Sequence, residues 1–489
     1  MSLPSAPPLE SVDPAPLPAG TNEELAGPPH VDTLAAPDPM LATRPVDPSE
    51  RISSVDLLRG FSLMGILIMN VTDFALGFSN YAFPLSTVKP VFNGPHWKVN
   101  TTLWFLRWIF AEGKMRALFS MLFGAGVILL TARAAERGAG IRAADIYTRR
   151  NMWLVLFGMV HCYAIWNGDI LFFYGVSALM FLFPFRNLKP KNLFWTAAIV
   201  LLLNTLIVQV GQTFAAGQAM RNAQKANAAL AHHQILDDDQ IAALKSWKDM
   251  QDRWRPSTKK LYKDIAAHQH GWLSQGADAA DGFQLETLGA YAGFGDWFGL
   301  MLLGMALYRI GFFSLKLSSR AYAITAIIGL GISWPLTFWG CWHAWRGGFD
   351  MFDTAHVLQF PYDLTRVSGA LGNAAVLLLL MRAGLFKWLF ARIAAVGQMA
   401  LSNYILTSLC MKTLFVWGPW HWYGYVEYYK LYYAVAAMWI VNLIFSTLWL
   451  RYFRFGPLEW CWRSLTYWQR QPMLLHKSST TAPAIPEPA

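Results

Sequence analysis

Charge is scarce in this chain, and cysteine scarcer. Only 14% of the 489 residues are Asp, Glu, Lys or Arg, against 55% hydrophobic and 15% aromatic. That balance is wrong for a water-soluble enzyme and right for a polytopic membrane protein. The four cysteines, Cys162, Cys341, Cys410 and Cys461, are far apart and form no CxxC pair. This argues against a disulfide framework and against a metal site, and leaves buried, inert thiols as the expectation. No Walker motif, GxSxG elbow, HExxH or dinucleotide fingerprint stands in a suitable context, so no cofactor is implied. Residues 1–50 are rich in Pro, Ala, Asp and Glu and have no apolar core. They read as a disordered cytoplasmic tail rather than a signal peptide, and 471–489 as a second disordered tail.

Long apolar runs are what the chain has instead. Runs long enough to cross a bilayer, about 20 residues, recur at Val55–Phe78, Thr102–Leu130, Met152–Trp166, Ile170–Phe185 and Leu193–Val210. They resume at Asp296–Phe313, Ala321–Trp342, Leu364–Met381, Ile393–Trp417 and Leu431–Leu450. The fold class expected is all-α, a membrane bundle of about ten helices. An N-terminal half (51–211) and a C-terminal half (291–470) are separated by a polar, partly helical segment at 212–290.

The net charge of +10 first suggests nucleic acid. Its placement argues otherwise, because the basic residues sit in short loops. Segments 131–151, 186–192, 309–320, 382–392 and 451–477 hold five, three, three, three and five Lys/Arg. Segments 79–101, 167–169, 343–363 and 418–430 hold two, none, one and one. This alternation is the positive-inside pattern and puts both termini in the cytoplasm. The expected location is a bacterial inner membrane, with the lipid bilayer as partner and no nucleic acid. The nine Lys/Arg of 212–290 fall on the outer side in a loop long enough to be exempt from the rule.

Polar groups inside apolar helices need a reason, since lipid offers them no partner. In the first helix Asp56 and Arg59 share a face, with Asn70 three turns further along it. The plain alternative is that Asp56 caps the helix and Arg59 reaches the headgroups. In the second, Glu112, Lys114 and Arg116 interrupt the apolar run. Inward-facing Lys and Arg suit a phosphate or carboxylate, although an interfacial break would look the same. Arg149 and Arg150 flank the cytoplasmic end of the third helix. His161 lies in its outer half, and Asp169 and Tyr174 follow across a tight hairpin. A His with a carboxylate neighbour is the smallest general-base unit, but a hydrogen-bonded structural His is equally common. Ser402 and Asn403 punctuate the ninth helix, where such residues often join helices. Glu459 and Arg463 lie four apart in an aromatic segment at the cytoplasmic interface.

The segments VDLLRGFSLMGILIMNV, GKMRALFSMLFGAGV, GMVHCYAIWNGDILFFYG and VGQMALSNYILTSL with FGPLEWCWRSLTY resemble the bacterial YeiB family over residues 51–470. That family has a C-terminal domain of unknown function and is described as membrane acyltransferases, with transport as an older label. It is similar to the heparan-glucosaminide acetyltransferase and O-antigen acyltransferase groups, which share an N-terminal D-x-x-RG helix. The resemblance places Asp56, Arg59, His161 and Asp169 on the family's motif positions. Gln398 and Ser402 stand where relatives often carry Arg and Thr.

The resemblance implies transfer of an acyl group, acetyl above all, from a cytoplasmic donor to a hydroxyl at the outer face. Acyl-CoA would be the co-substrate and the acceptor is open, as is a homodimer. In this expectation His161 is the base and Asp169 orients it. Asp56, Arg59, Lys114, Arg116, Arg149 and Arg150 hold the donor. Asn70, Tyr174, Ser402 and Asn403 serve the acceptor or the oxyanion. The alternative is a transporter of a small anionic or polar solute, against which the chain shows no internal repeat.

Overall fold

A computed structural model describes residues 53–136, 142–269 and 294–475. The tail at 1–50, most of 471–489 and the end of the 212–290 segment lie outside these residues. All the described residues belong to one compact unit, Pro39–Ala489. It is helical, and its strand-like pairing among the described residues is one isolated bridge between Phe453 and Leu474.

Each of the ten apolar runs is helical. In chain order the helices are α1 Ser53–Leu76, α2 Trp97–Phe110, α3 Lys114–Glu136, α4 Arg142–Ala164 and α5 Leu171–Phe185. Next come α6 Pro190–Ala231, α7 Asp238–Trp254, α8 Thr258–Gln269 and α9 at 294–309. The last are α10 Ser319–Arg346, α11 Tyr362–Arg382, α12 Lys387–Gln398, α13 Ala400–Trp417, α14 Tyr428–Trp449 and α15 Pro457–Tyr467. Among the described residues, six stretches are long and apolar enough to span: α1, α2 with α3, α6, α10, α11 and α14. The pair α12 and α13 makes a seventh only if its 86° bend is one broken span. Helices α4, α5 and α9 fall outside that count, because α4 opens with charge, α5 is short and the described part of α9 is 294–309. The chain is thus an all-α polytopic membrane bundle, with two of the expected rods broken.

Its exterior is apolar where lipid would lie. Trp195, Ile199, Leu202 and Ile207 on α6 are exposed, as are Ile327, Ile328 and Trp339 on α10 and Ile440 and Ile444 on α14. Exposed patches of this kind mark a lipid-facing surface. Lipid is as apolar as a protein core, so helix association depends on close packing. Small residues provide it at the main crossing of α1. A Cβ added to Gly60 would lie 1.9 Å from the Ile393 carbonyl oxygen, and one added to Gly397 would lie 1.9 Å from the Asp56 carbonyl oxygen. The backbones of α1 and α12 therefore touch with no side chain between them.

Buried and half-buried ion pairs tie the remaining helices. Arg116 on α3 meets Asp296 on α9 at 2.7 Å, and Arg366 on α11 meets Asp363 at 2.6 Å and also pairs with Asp296. Asn204 and Thr205 of α6 donate to Asp363. Arg107 on α2 pairs with Glu112 at 2.8 Å. Lys114 donates to the carbonyl of Trp108 at 2.8 Å, at the break between α2 and α3. A half-helix that ends inside a membrane leaves carbonyls unsatisfied, and a lysine satisfies them.

The loops sort into two sets. Asp264 of α8 accepts a hydrogen bond from Tyr423 at 3.0 Å, Trp254 of α7 donates to Phe349 O at 3.0 Å, and Gly424 N donates to Ala75 O at 2.8 Å. At the other set, Ser54 donates to Phe313 O at 2.7 Å and Trp462 to Arg150 O at 2.8 Å. The lysine- and arginine-rich segments thus contact one another, and the loops poor in those residues contact one another together with the 212–269 helices.

Candidate functional site

The site is built where two helix pairs meet. The short hairpin between α4 and α5 brings His161 and Asp169 together. A Cβ on Gly158 would lie 2.2 Å from Phe172 N and 2.8 Å from Asp169 Oδ2, so only glycine lets the start of α5 approach α4 this closely. His161 Nδ1 lies 2.8 Å from Asp169 Oδ1, and Asp169 Oδ2 accepts the Phe172 N–H at 2.7 Å. Both side chains are buried. With Nδ1 given to Asp169, Nε2 is left as the ring's second nitrogen, and it has no hydrogen-bond partner among the described residues. A buried polar atom without a partner is costly in a native structure and marks a place where something else binds.

His161 lies against two aromatic rings. The Trp166 centroid is 6.1 Å away, and its Nε1–H donates to Asp73 Oδ2 at 2.8 Å. On the other side Tyr404 of α13 lies 4.9 Å from the imidazole, centroid to centroid. Tyr404 also lines a cavity of about 250 Å³. The imidazole is therefore one side chain removed from that space.

The cavity runs between α1, α3, α4, α5, the α12–α13 break and α15. Its charged lining residues are Asp56, Arg59, Arg133, Arg150, Glu459 and Arg463. They come from the start of α1, the end of α3, the start of α4 and from α15, all on the face that carries the basic loops. The rest of the lining is mainly apolar, including Leu63, Phe119, Leu122, Leu130 and Leu154, and ends at Ile170, Tyr174 and Tyr404. Arg59 pairs with Asp56 at 3.0 Å. Arg150 lies 3.8 Å over the Trp462 ring and has no carboxylate partner among the described residues. Arg463 and Arg59 lie close enough to repel it. The Tyr174 hydroxyl bonds to Ser120.

The break between α12 and α13 forms one wall, and Glu459 holds it. Its Oε1 accepts the N–H groups of Leu401 at 2.7 Å and Ser402 at 3.1 Å, and its Oε2 accepts the Ser402 hydroxyl. These are first-turn amides that α13 cannot satisfy itself, so Glu459 acts as an N-cap supplied by another helix. Burial raises its carboxyl, against the pull of the hydrogen bonds from Ser402 and the backbone. Asn403 fixes the same corner, donating to Val396 O at 3.1 Å and Ser446 Oγ at 2.8 Å. Glu459→Ala would leave three donors without an acceptor, a loss of about 1–3 kcal/mol. Thermal unfolding of purified protein should show a lower midpoint for Glu459→Ala, and a smaller drop for Glu459→Gln, which keeps one acceptor.

The sequence-predicted residues therefore divide. Asp56, Arg59, Arg150 and Tyr174 line one cavity, and His161 with Asp169 stands behind its far end. Lys114 and Arg116 do not join them; they serve the α2–α3 break and the Asp296 ion pair. Arg149 lies over Trp468 at 5.9 Å, outside the lining. Asn70 is half-buried on α1 and is also outside the lining. Ser402 and Asn403 are committed to the α13 corner. Arg133, Arg463, Glu459 and Tyr404 were not anticipated as site residues, although Glu459 and Arg463 stood out as a charged pair in an aromatic segment.

Residues 307–469 match the family model described as Protein of unknown function (DUF418). The chain is similar to the uncharacterized protein YeiB of Escherichia coli (strain K12), 29% identical over 423 residues, covering 85% of this chain and 96% of that protein. It is also similar to the uncharacterized protein YxaH of Bacillus subtilis (strain 168), 28% identical over 447 residues, covering 89% of this chain and 98% of that one. No solved structure matches. The family match covers the helices from α10 to α15, including the Glu459-capped break, while the two relatives extend the likeness across the His161 hairpin. On these matches the chain carries a DUF418 domain in its C-terminal half and is similar to the YeiB and YxaH proteins over most of its length.

Proposed function

We propose that the protein is an acyltransferase of the bacterial inner membrane, with both termini in the cytoplasm. In this reading it moves an acyl group from a cytoplasmic donor, an acyl-CoA, to a hydroxyl acceptor presented from the outer side. One observation carries the reading: a buried His–Asp pair with a free Nε2 stands one aromatic ring behind a cavity whose far end is lined with arginines. Arg59 and Arg150 would hold the donor's phosphates. Nε2 of His161 would take the proton of the acceptor hydroxyl as its oxygen attacks the thioester carbonyl. The carbon–sulfur bond then breaks, and the thiolate leaves with a proton. Asp169 keeps the proton of His161 on Nδ1 and stabilises the imidazolium as it forms.

The α12–α13 break favours a second reading. Transporters place their substrates at discontinuous helices whose half-helix ends face the site. Here the break borders the cavity through Gly397, Gln398, Ala400 and Leu401. Two assays separate the readings. Purified protein in lipid vesicles is given acyl-CoA, with membrane extract as a source of acceptors, and release of free CoA thiol is followed. The transfer reading expects release above the protein-free rate, lost in His161→Ala. If no thiol is released with any acyl-CoA and loaded vesicles show protein-dependent solute flux, the transfer reading fails and transport replaces it.

A further inference from the structure

We infer that the cavity's ligand is a single-chain anionic amphiphile: a phosphate-bearing head at the arginines and an alkyl or acyl chain lying in the apolar throat. The inference deepens the proposed reading by naming its donor class, and its geometry stands on the cavity alone.

The head follows from charge. Arg59, Arg133, Arg150 and Arg463 line one end of the cavity, together with Asp56, which pairs with Arg59, and Glu459, which accepts from the first turn of α13. Arg150 has the Trp462 indole face and Tyr467 near it, has no carboxylate partner among the described residues, and lies in the field of Arg59 and Arg463. A cluster of guanidinium groups at one end of a cavity fits a polyvalent oxyanion, which arginine binds in a bidentate manner.

The tail follows from length and polarity. Beyond Arg59, α1 continues to line the cavity through Leu63 to Ile66. Seven residues of helix correspond to about 10 Å at 1.5 Å per residue. The throat is therefore deep enough for a chain of several carbons, and an acetyl group would leave most of it empty. All the charged lining residues gather at the arginine end. The wall also contains free space, since a Cβ on Gly126 would meet nothing within 4 Å.

Two sources could supply such a ligand: a long-chain acyl-CoA from the cytoplasm, or a single-chain phosphate from the bilayer. The experiment reconstitutes the full protein in phosphatidylcholine nanodiscs and follows its unfolding midpoint against ligand concentration. A ligand that binds only the native state must raise the midpoint. The probes are lauroyl-CoA, dodecyl phosphate, acetyl-CoA (a head without a tail) and dodecyl maltoside (a tail without charge).

A saturable rise with lauroyl-CoA or dodecyl phosphate, at least tenfold tighter than with the last two, supports the inference. Whichever of the first two binds tighter identifies the source. Arg150→Gln should weaken both at least tenfold. Gly126→Phe, which fills the throat and leaves every arginine, should abolish the effect of the chain. Gly126→Leu serves if the larger ring prevents folding. Acetyl-CoA matching lauroyl-CoA would overturn the tail, dodecyl maltoside matching dodecyl phosphate would overturn the head, and no rise with any probe would overturn both. Chain-dependent binding without turnover would leave this inference standing and remove the transfer reading. Turnover of acetyl-CoA with no chain dependence would do the reverse.

Discussion

Asp169→Asn is expected to lower acyl transfer by about 10²–10⁴-fold, the usual contribution of a positioned general base, while the protein still folds. The reason lies in the two oxygens of one carboxylate. Oδ2 accepts the Phe172 N–H at 2.7 Å, and Oδ1 faces His161 Nδ1 at 2.8 Å. In the amide variant the Phe172 N–H keeps the single oxygen where it is. The new NH₂ group then points at Nδ1, and Nδ1 must become the acceptor. The ring proton moves to Nε2, and the nitrogen that should take a proton already carries one. Shape and hydrogen-bond count are preserved, so the unfolding midpoint should change little. A large fall in the rate beside an unchanged midpoint assigns Asp169 to the tautomer of His161. A purely structural role predicts that rate and midpoint fall together.

Asp296→Ala should cost up to about 3–5 kcal/mol, the penalty for removing one partner of a buried ion pair, since of its two partners Arg366 is buried and Arg116 half-buried. That loss is large against the stability of any domain, and little folded protein is expected. Asp296 lies between Arg116 and Arg366, and only Arg366 has a second carboxylate, Asp363. Without Asp296, Arg116 is left charged in the bundle. Replacing the arginine as well should recover part of the loss, because no unpaired charge then remains. Arg116→Leu with Asp296→Leu should therefore yield more folded protein than Asp296→Ala alone. Size-exclusion profiles in detergent read both outcomes. Equal or lower recovery for the double variant would mean that the pair is not what Asp296 contributes.

Local features of this site were legible in the sequence, and distant ones were not. Asp56 and Arg59 share a helix face by spacing alone, and they pair at 3.0 Å. The three-residue turn after Trp166 left Asp169 nowhere to go but back toward His161. Lys114 and Arg116 were misread as companions of Arg59. Helix faces in a membrane protein cannot be read from periodicity, because lipid and core are equally apolar. Only the partners reveal which way a charge points, and Asp296 is 180 residues away from Arg116.

The break at Met399 was hidden for a related reason. Its sequence, VGQMALSN, continues the apolar run and holds no proline. What makes the break tolerable is Glu459, which caps α13 from a separate helix. The glutamate was visible as a charge in an aromatic segment, but its acceptor role depends on a contact across more than fifty residues. The α2–α3 break was announced by the Glu-Gly-Lys at 112–114, where Lys114 serves the break and not the cavity.

The central claim is that His161 moves protons during acyl transfer. It is tested most directly by giving labelled lauroyl-CoA to inside-out membrane vesicles and tracing the label into the lipid and glycan fractions. Vesicles carrying the wild-type chain, His161→Ala and Asp169→Asn are compared at equal amounts of folded protein. The account predicts a labelled product with the wild-type chain that falls by at least a hundredfold in both variants. Equal labelling in all three, or none above vesicles lacking the protein, would contradict it.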